Sequence, residues 1–530
     1  MARVVAATQP QTQVEATVTK KIDDPNLGAK VDEWMTAVYP RLHRSSWAPS
    51  LRVRGVDVLD VLGDPVYLAL LAAARGIRDG VKMRRRRSIL AAVTERVISR
   101  VRTPLAEKRA RCASASPGRV SVVFWPREPT HVQVQHPVGI ACQDMKIESG
   151  FLVCQPAILD RLQRLGIPAT YTRSVWEPEL RRARRDGRRS ARLLAADPGI
   201  ALPAFPLTRG AREGVEVLRR RAVRLLPLVH EAIATADALT DSMSPKVLVV
   251  GNDLTLEGRA ACLRAQIRGV RTVCLMHGSV CGDDGRQAHH LSDMVLVFGD
   301  NSKRQLLSQA VEPSRIAVCG APHLDKSLSQ TGRFHHDVRT RFSLSEKPLI
   351  LVALSGPGHS VSHSHHETII EHVMRLSTKL HGIRFIAKLH RKDRADYYQH
   401  VMRRVVPKST MDVVPYGVPG LTSDIFDWLQ GCSLVLTGAS TVAVEAMLMD
   451  VPVVTMDFAG ELSGIDFIDA GATFHARTPE ELEDAVRSVL DASGRVAGVK
   501  ARARAFLKGE YYAVDGRSAE RCAETISGLV

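Results

Sequence analysis

Aromatic residues are scarce. Phe, Trp and Tyr make up 5% of the 530 residues, which argues against a stacking platform for single-stranded nucleic acid. There is no CxxC pair, and the nine cysteines are dispersed and odd in number. That usage predicts a reducing compartment, with cysteines buried mostly as small hydrophobes. The N-terminus, MARVVAATQPQTQVEATVTKK, lacks the long apolar core of a signal peptide. The most apolar early run, 61–77, is interrupted by Asp64 and Pro65 and is short for a bilayer span. No fixed-period repeat is present. The expectation is a cytosolic protein that touches, at most, the inner face of a membrane.

Positive charge is abundant and clustered. The net charge is +17. KMRRRR fills 82–87, RRARRDGRRSAR fills 181–192, and RRRAVR fills 219–224. Such runs attract anionic lipid, nucleic acid or a polyanionic acceptor, and they serve equally well as solvated helix faces. Hydrophobic residues at 45% against 24% charged describe a globular chain. Its length predicts two or three domains.

Patterning supplies the fold class. RVSVVFWP (119–126), KVLVVGND (246–253) and VRTVCLMHG (270–278) read as strands, as do DMVLVFG (293–299), KPLILVALS (347–355) and RFIAKLH (384–390). Helical segments fall between them, and strands alternating with helices make parallel sheets with helices on both faces. We therefore expect an α/β protein with two facing doubly wound, Rossmann-like domains. Residues 1–118 would be a polar tail and a basic helical extension. Residues 119–290 would form the first domain, with an Arg-rich helical insert at 177–225. Residues 291–510 would form the second, and 511–530 a closing segment.

One stretch points to a ligand. In LVLTGASTVAVEAMLMDVPVVTMDF, 434–458, a strand stops at a small, hydroxyl-rich turn and feeds a helix. Open parallel sheets bind ligands beyond such strand ends. Unpaired first-turn amides and the helix dipole favour an anion there. Gly438 lets a phosphate approach, Ser440 and Thr441 add hydroxyls, and Glu445, one turn deeper, suits a ribose diol. A plain helix cap with a dipole partner explains the same residues. The neighbouring junctions favour the ligand. AKLHRKD ends a strand with Lys388 and His390, and SGPGHS puts Gly356 in a turn after another strand. His363, His365 and His366 crowd nearby, but HSHH has no carboxylate or cysteine at metal spacing, so no metal site is expected.

In the first domain, CLMHGSVCGDDG, 274–285, carries His277 at a strand end, where one domain is expected to hand over to the next. An imidazole in an interdomain cleft is a candidate general base. Asp283 and Asp284 in the same loop would orient it or act as base themselves.

With these residues in hand, the chain resembles GT-B glycosyltransferases over about 245–526. The flavour is that of capsule and teichoic-acid enzymes, polysialyltransferase-like and CDP-glycerol glycerophosphotransferase-like. UDP-N-acetylglucosamine 2-epimerases share the architecture. The resemblance rests on His277-Gly278, on Ser292-Asp293 with Gly299, and on Gly320-Ala321-Pro322 with Asp325. It continues through Lys388-Leu389-His390-Arg391, Ser440-Thr441, Glu445-Ala446 and Val451-Pro452. Arg391 stands where a proline is usual, and Asp450 where a glycine is usual. The tail YYAVDGRSAERCAETI, 511–526, resembles the last helix, which crosses back to the first domain.

The resemblance implies metal-independent transfer of a sugar or polyol phosphate from a nucleotide donor, without a cofactor. The acceptor would be a hydroxyl of a cell-surface glycan or lipid-linked precursor. His277, Asp283 or Asp284 would be the base. Lys388, His390, Ser440 and Thr441 would hold the phosphates, and Glu445 the ribose. The rival expectations are an epimerase of UDP-amino sugars and a protein acting on nucleic acid.

Overall fold

The computed structural model describes residues 33, 35, 38–39, 41–42, 48, 51–62, 107, 110, 114–196, 211–278, 289–329, 338, 342, 347–356, 361–390, 393–418, 425–438, 440–462 and 465–530, side chains excepted at 211–218 and 326–329. A short antiparallel pair, β1 (Arg52–Val53) and β2 (Val56–Asp57), precedes two large parallel sheets.

The first series runs β3 (Val122–Trp125), α1 (Pro129–Asp144), β4 (Ser149–Val153), α2 (Pro156–Arg164) and β5 (Ala169–Tyr171). Three helices follow: α3 (Thr172–Val175), α4 (Glu177–Ala196) and α5 (Ala211–Met243). Then come β6 (Val247–Val250), α6 (Leu256–Ile267), β7 (Arg271–Leu275), β8 (Met294–Val297), α7 (Asp300–Ser308), β9 (Ile316–Val318) and α8 (Pro322–Ser329). The sheet order is β5-β4-β3-β6-β7-β8-β9. Alternate residues of β3 serve opposite faces, as the strand period requires. Val122 and Phe124 enter one core cluster, and Val123 and Trp125 another.

The second series runs β10 (Leu349–Val352), α9 (His363–Lys379), β11 (Arg384–Lys388), α10 (Ala395–Arg404), β12 (Asp412–Val414) and α11 (Ile425–Gly431). It continues with β13 (Leu434–Thr437), α12 (Thr441–Leu448), β14 (Val453–Met456), α13 (Asp466–Asp469), β15 (Phe474–Ala476) and α14 (Pro479–Leu490). Its order is β12-β11-β10-β13-β14-β15. Helices α15 (Gly494–Tyr511) and α16 (Ser518–Ser527) end the chain. The expected fold class, two doubly wound parallel sheets, is what the chain adopts.

The division at 290 is corrected. Strands β8 and β9 pair with β7 and with each other, in register Val273↔Met294 and Val295↔Ile316. They complete the first sheet, and the second begins at β10. His277 therefore follows an interior strand of the first sheet rather than closing the domain. Part of the expected polar tail joins a core cluster. Met35, Val38 and Leu42 are buried with Leu226 and Val229 of α5 and Ala260 of α6. The run at 82–87 lies outside the described residues.

The Arg-rich insert is a helical pair. Helices α4 and α5 cross where Gly187 meets Pro227; a Cβ at 187 would sit 2.6 Å from the Pro227 Cα. Arg184 pairs with Glu231, and Arg181 with Glu177 at 2.5 Å. Arg182, Arg185, Arg188, Arg189 and Arg192 are exposed. Among the described residues, no helix is long and apolar enough to cross a membrane.

The closing segment joins the two series. Asn301 of α7 donates from Nδ2 to Glu510 of α15 at 3.0 Å. Helix α16 lies on α1 and α8. The Ala519 N–H donates to Asp325 Oδ2 at 2.7 Å, and Arg521 Nε to the Cys319 carbonyl at 2.9 Å. Gly320 holds φ at +90°, and a Cβ there would collide with Ser518. The Gly320–Asp325 motif is thus the seat of the returning helix. Gly320→Ala should lower the unfolding free energy by about 1–3 kcal/mol through backbone strain and collision. Urea denaturation measures this, and an unchanged midpoint would show that α16 does not need this seat.

Candidate functional site

Each sheet reverses its winding once, between β3 and β6 and between β10 and β13. Ligands of doubly wound sheets bind in the crevice at the carboxyl end of such a reversal. In the second sheet the two strand ends are tied directly. Thr437 Oγ1 donates to the Ala353 carbonyl at 2.6 Å, and the Ala353 N–H to the Leu436 carbonyl at 3.0 Å.

The residues singled out in the second domain gather at this edge. Gly356 follows β10 with φ +80°, a conformation that suits glycine. Gly438 follows β13, and Val361 beyond the β10 turn lies within 3.7 Å of where its Cβ would be. Ser440 is the N-cap of α12; its Oγ accepts from the Val442 N–H at 3.4 Å. Thr441 opens the helix and is exposed, and Glu445 is its fifth residue and half-buried. Lys388 ends β11, next to β10, and His390 lies just beyond; its carbonyl accepts from the Asp393 N–H at 2.8 Å.

Sequence reasoning missed a further cluster here. The loop after β14 carries Asp457 and Glu461. Asp457 accepts the backbone N–H groups of Glu461 at 2.7 Å and Leu462 at 3.3 Å. Glu461 Oε2 accepts the Ser362 N–H at 2.7 Å and lies 3.3 Å from His365 Nδ1. Ser362 caps α9 by accepting from the His365 N–H at 3.1 Å. A protein carboxylate therefore sits at the N-terminus of α9. Folding also brings the histidine run carboxylates that its own spacing lacks: His365 meets Glu461, and His366 Nε2 approaches Asp393 Oδ1 at 3.5 Å. These are separate pairs, not one convergent set.

In the first sheet the reversal is built on the turn Gly251-Asn252-Asp253. Asn252 Oδ1 accepts from the Leu254 N–H at 2.8 Å, and Thr255 Oγ1 caps α6 by accepting from Gly258 at 3.2 Å. Arg127 after β3 pairs with Glu257 of α6 at 2.7 Å, closing the other side. Two imidazoles occupy the space between. His277, after β7, places Nδ1 2.9 Å from the Gly251 carbonyl. His131, in the first turn of α1, places Nδ1 3.2 Å from the Arg127 backbone N–H. Their ring centroids are 4.6 Å apart. His131 is buried, and its Nε2 meets no partner among the described residues, an arrangement that costs about 1–3 kcal/mol unless a ligand or water fills it. Gln135, one turn along α1, is likewise fully buried with its carboxamide unpaired among the described residues. Asp283 and Asp284 lie outside the described residues.

Beneath this turn is a buried polar knot. Asp253, Cys274 and His290 bring donor atoms within 4.8 Å of one another. The carboxylate is already filled: Oδ1 lies 2.5 Å from His290 Nδ1, and Oδ2 accepts the N–H groups of Leu291 at 2.9 Å and Ser292 at 2.8 Å. Burial pushes the Cys274 thiol well up and keeps it protonated. The set fits a hydrogen-bonded anchor for the His277 loop better than a metal centre.

The model of the UDP-N-acetylglucosamine 2-epimerase family matches residues 220–527, more than half of the chain. The chain belongs to that family. Solved structures agree on architecture. The UDP-GlcNAc 2-epimerase of Neisseria meningitidis, bound to UDP-GlcNAc, superposes with a TM-score of 0.53 at 13% identity, over 77% of this chain and 99% of that one. A Listeria monocytogenes candidate for the same activity gives 0.54 at 15% identity, over 78% and 96%. A Rickettsia africae glycosyltransferase gives 0.48 at 10% identity, over 78% and 98%, too low to carry an argument. Likeness at these identities shows the fold alone. No curated protein matches the chain.

The knot yields a stability prediction. Burial works to raise the Asp253 pKa, but the His290 charge and the hydrogen bonds of His290 and Ser292 hold it below the ordinary carboxylate range. A depressed carboxyl contributes stability above its unfolded pKa of about 4 and loses it as pH falls below that value. Asp253→Asn should cost about 3–5 kcal/mol at neutral pH by leaving its partner uncompensated. Its stability should also fall less steeply below about pH 4 than that of the wild type. Urea melts at both pH values decide it; wild-type stability at neutral pH would remove the knot from the fold's essentials.

Proposed function

We propose that the protein binds a nucleotide diphosphate-sugar across the cleft between its sheets and transfers the sugar to an acceptor hydroxyl. The observation that supports this most is the state of His277. A carbonyl only accepts, so the bond to Gly251 keeps the proton on Nδ1 and the lone pair on Nε2. Nε2 meets no partner among the described residues and is free to take the acceptor's proton. Asp283 and Asp284 remain candidates to assist it. On the donor side, the amides of α12, the hydroxyls of Ser440 and Thr441, and the basic Lys388 and His390 suit a leaving diphosphate. Gly356 and Gly438 leave room for it, and Glu445 suits the ribose. The reaction needs no redox partner: the acceptor oxygen attacks the anomeric carbon, and the bond to the diphosphate breaks.

Epimerisation of the sugar is the second reading, and family membership supports it. The two separate in heavy water with UDP-N-acetylglucosamine. An epimerase exchanges deuterium into the inverted carbon with no acceptor present, whereas a transferase releases UDP only when an acceptor is added. Under either reading Glu445→Ala should weaken UDP binding by about 1.5–3 kcal/mol in calorimetry. His277→Ala should lower turnover by roughly 10²–10⁴ with UDP affinity near wild type. An unaltered rate would return His277 to a structural strand-end role, and a wild type that binds no nucleotide would remove the proposed function.

The exposed arginines of α4 suit an anionic acceptor or the anionic face of a membrane, where a lipid-linked precursor would sit. Charge reversal at Arg185, Arg188 and Arg192 should release the protein from anionic liposomes at low salt, where surface charge is least screened, while nucleotide binding stays unchanged. Salt-insensitive partitioning would make these arginines a solvated face.

A further inference from the structure

The two imidazoles of the first domain hold opposite proton patterns. His277 keeps its proton on Nδ1. His131 is the reverse. The Arg127 backbone N–H only donates, so His131 Nδ1 is the acceptor and Nε2 carries the proton. That Nε2–H is buried and aimed at no acceptor among the described residues. A lone pair and a donor therefore stand side by side, on rings 4.6 Å apart and tilted by 58°.

One glycine seats both rings. The Gly251 carbonyl orients His277, and a Cβ at 251 would collide with the His131 ring. The groups facing His131 from the packed elements are His277 and Arg127. Burial first, then these two, push its pKa down to about 3. It is a neutral donor at neutral pH, unable to take up the proton that His277 must take. The unpaired carboxamide of Gln135 lies one turn along the same helix, so the lining continues polar and uncharged. If accepting from Arg127 were the ring's sole task, a second nitrogen buried without a partner would be a net cost.

We infer that His131 is a second catalytic residue, whose Nε2–H binds the oxygen of the hydroxyl from which His277 Nε2 takes the proton. The inference rests on the proposed function and names the group that positions the acceptor. The hydroxyl oxygen accepts from His131 and donates to His277. As it bonds to the anomeric carbon, the carbon–diphosphate bond breaks and its electron pair leaves with the diphosphate. The proton ends on His277 Nε2, and His131 gives up none. Neutral imidazole donors are suited to developing charge on oxygen, because no proton needs to move.

Two near-isosteric variants separate this role from a structural one. His131→Asn keeps an acceptor for the Arg127 N–H and deletes the distal donor. His131→Gln keeps a distal N–H and deletes the acceptor. Loss of one preorganised donor should lower kcat about 10²-fold in His131→Asn, with KM for the nucleotide sugar and the acidic limb of the pH profile unmoved. His131→Gln should recover most of that loss. Wild-type turnover in His131→Asn, or equal loss in both variants with a lowered melting temperature, overturns the inference. A wild type that turns over no nucleotide sugar defeats the proposed function instead. Nitrogen NMR of the His131 ring tests the premise separately: an Nε2–H tautomer, neutral down to about pH 5 against an unperturbed pKa near 6.5, keeps the donor in place. A proton on Nδ1, or titration near 6.5, overturns the inference.

Discussion

A parallel sheet whose crossovers run outward in both directions must leave two neighbouring strand ends uncovered, and everything functional in this chain depends on that constraint. Helices leave β3 and β6 on opposite sides, and the same is true of β10 and β13. Each gap exposes loop backbone that would otherwise be roofed by a helix. The chain fills the first gap with Gly251, His131 and His277, and the second with Gly356, Gly438 and the start of α12. Residues far apart in sequence meet because the topology brings their strand ends together. Helix α15 packs on both α12 and α7, and α16 then returns the chain to α1, the helix that carries His131.

Strand ends were readable where sequence and local chemistry agreed. The apolar run at 247–250 stops at Gly-Asn-Asp, and the strand at 434–437 stops at Gly-Ala-Ser; both strand ends lie where the fold reverses. Helix α1 was hidden because its sequence argues against it. HVQVQ alternates like a strand, and Pro137 removes an internal hydrogen bond. It forms because Pro129 starts it and because it is buried on much of its surface, through His131, Val132, Val134, Gln135 and Val138. Tertiary burial overrode local pattern, and the second imidazole went unread with the helix. The same holds for Glu461, which reaches Ser362, 99 positions away in the sequence; no spacing rule reports such a contact.

Family motifs divide by role once their contacts are known. Gly320 and Asp325 receive α16, and Asp293 accepts from the N–H of Thr272 at 2.7 Å and from its hydroxyl at 2.8 Å, holding β7 to β8. In this chain these residues serve the architecture. His277 and the α12 turn are of the other kind. Their side chains stand at open strand ends, and architecture alone does not account for their chemistry. The domain boundary was misplaced for the same reason. Asp293 and Gly299 resemble the opening of a new series, yet their strand is held by hydrogen bonds to the old one.

The placement of charge at the second gap follows from competition among helix ends. Two helices begin there, each with unpaired amides and a partial positive charge. At α9 that charge is already met, because Glu461 accepts from Ser362 and stands beside His365, and Asp457 fixes the Glu461 loop in turn. An added phosphate would confront a carboxylate there, and like charges at such range repel. At α12 the cap is a single neutral hydroxyl at 3.4 Å, and the first turn holds no acid. An anion entering the crevice therefore finds its favourable field at Ser440 and Thr441. Glu445 lies one turn deeper, far enough along the helix to leave the proposed phosphate seat clear and near enough to suit the ribose proposed beside it.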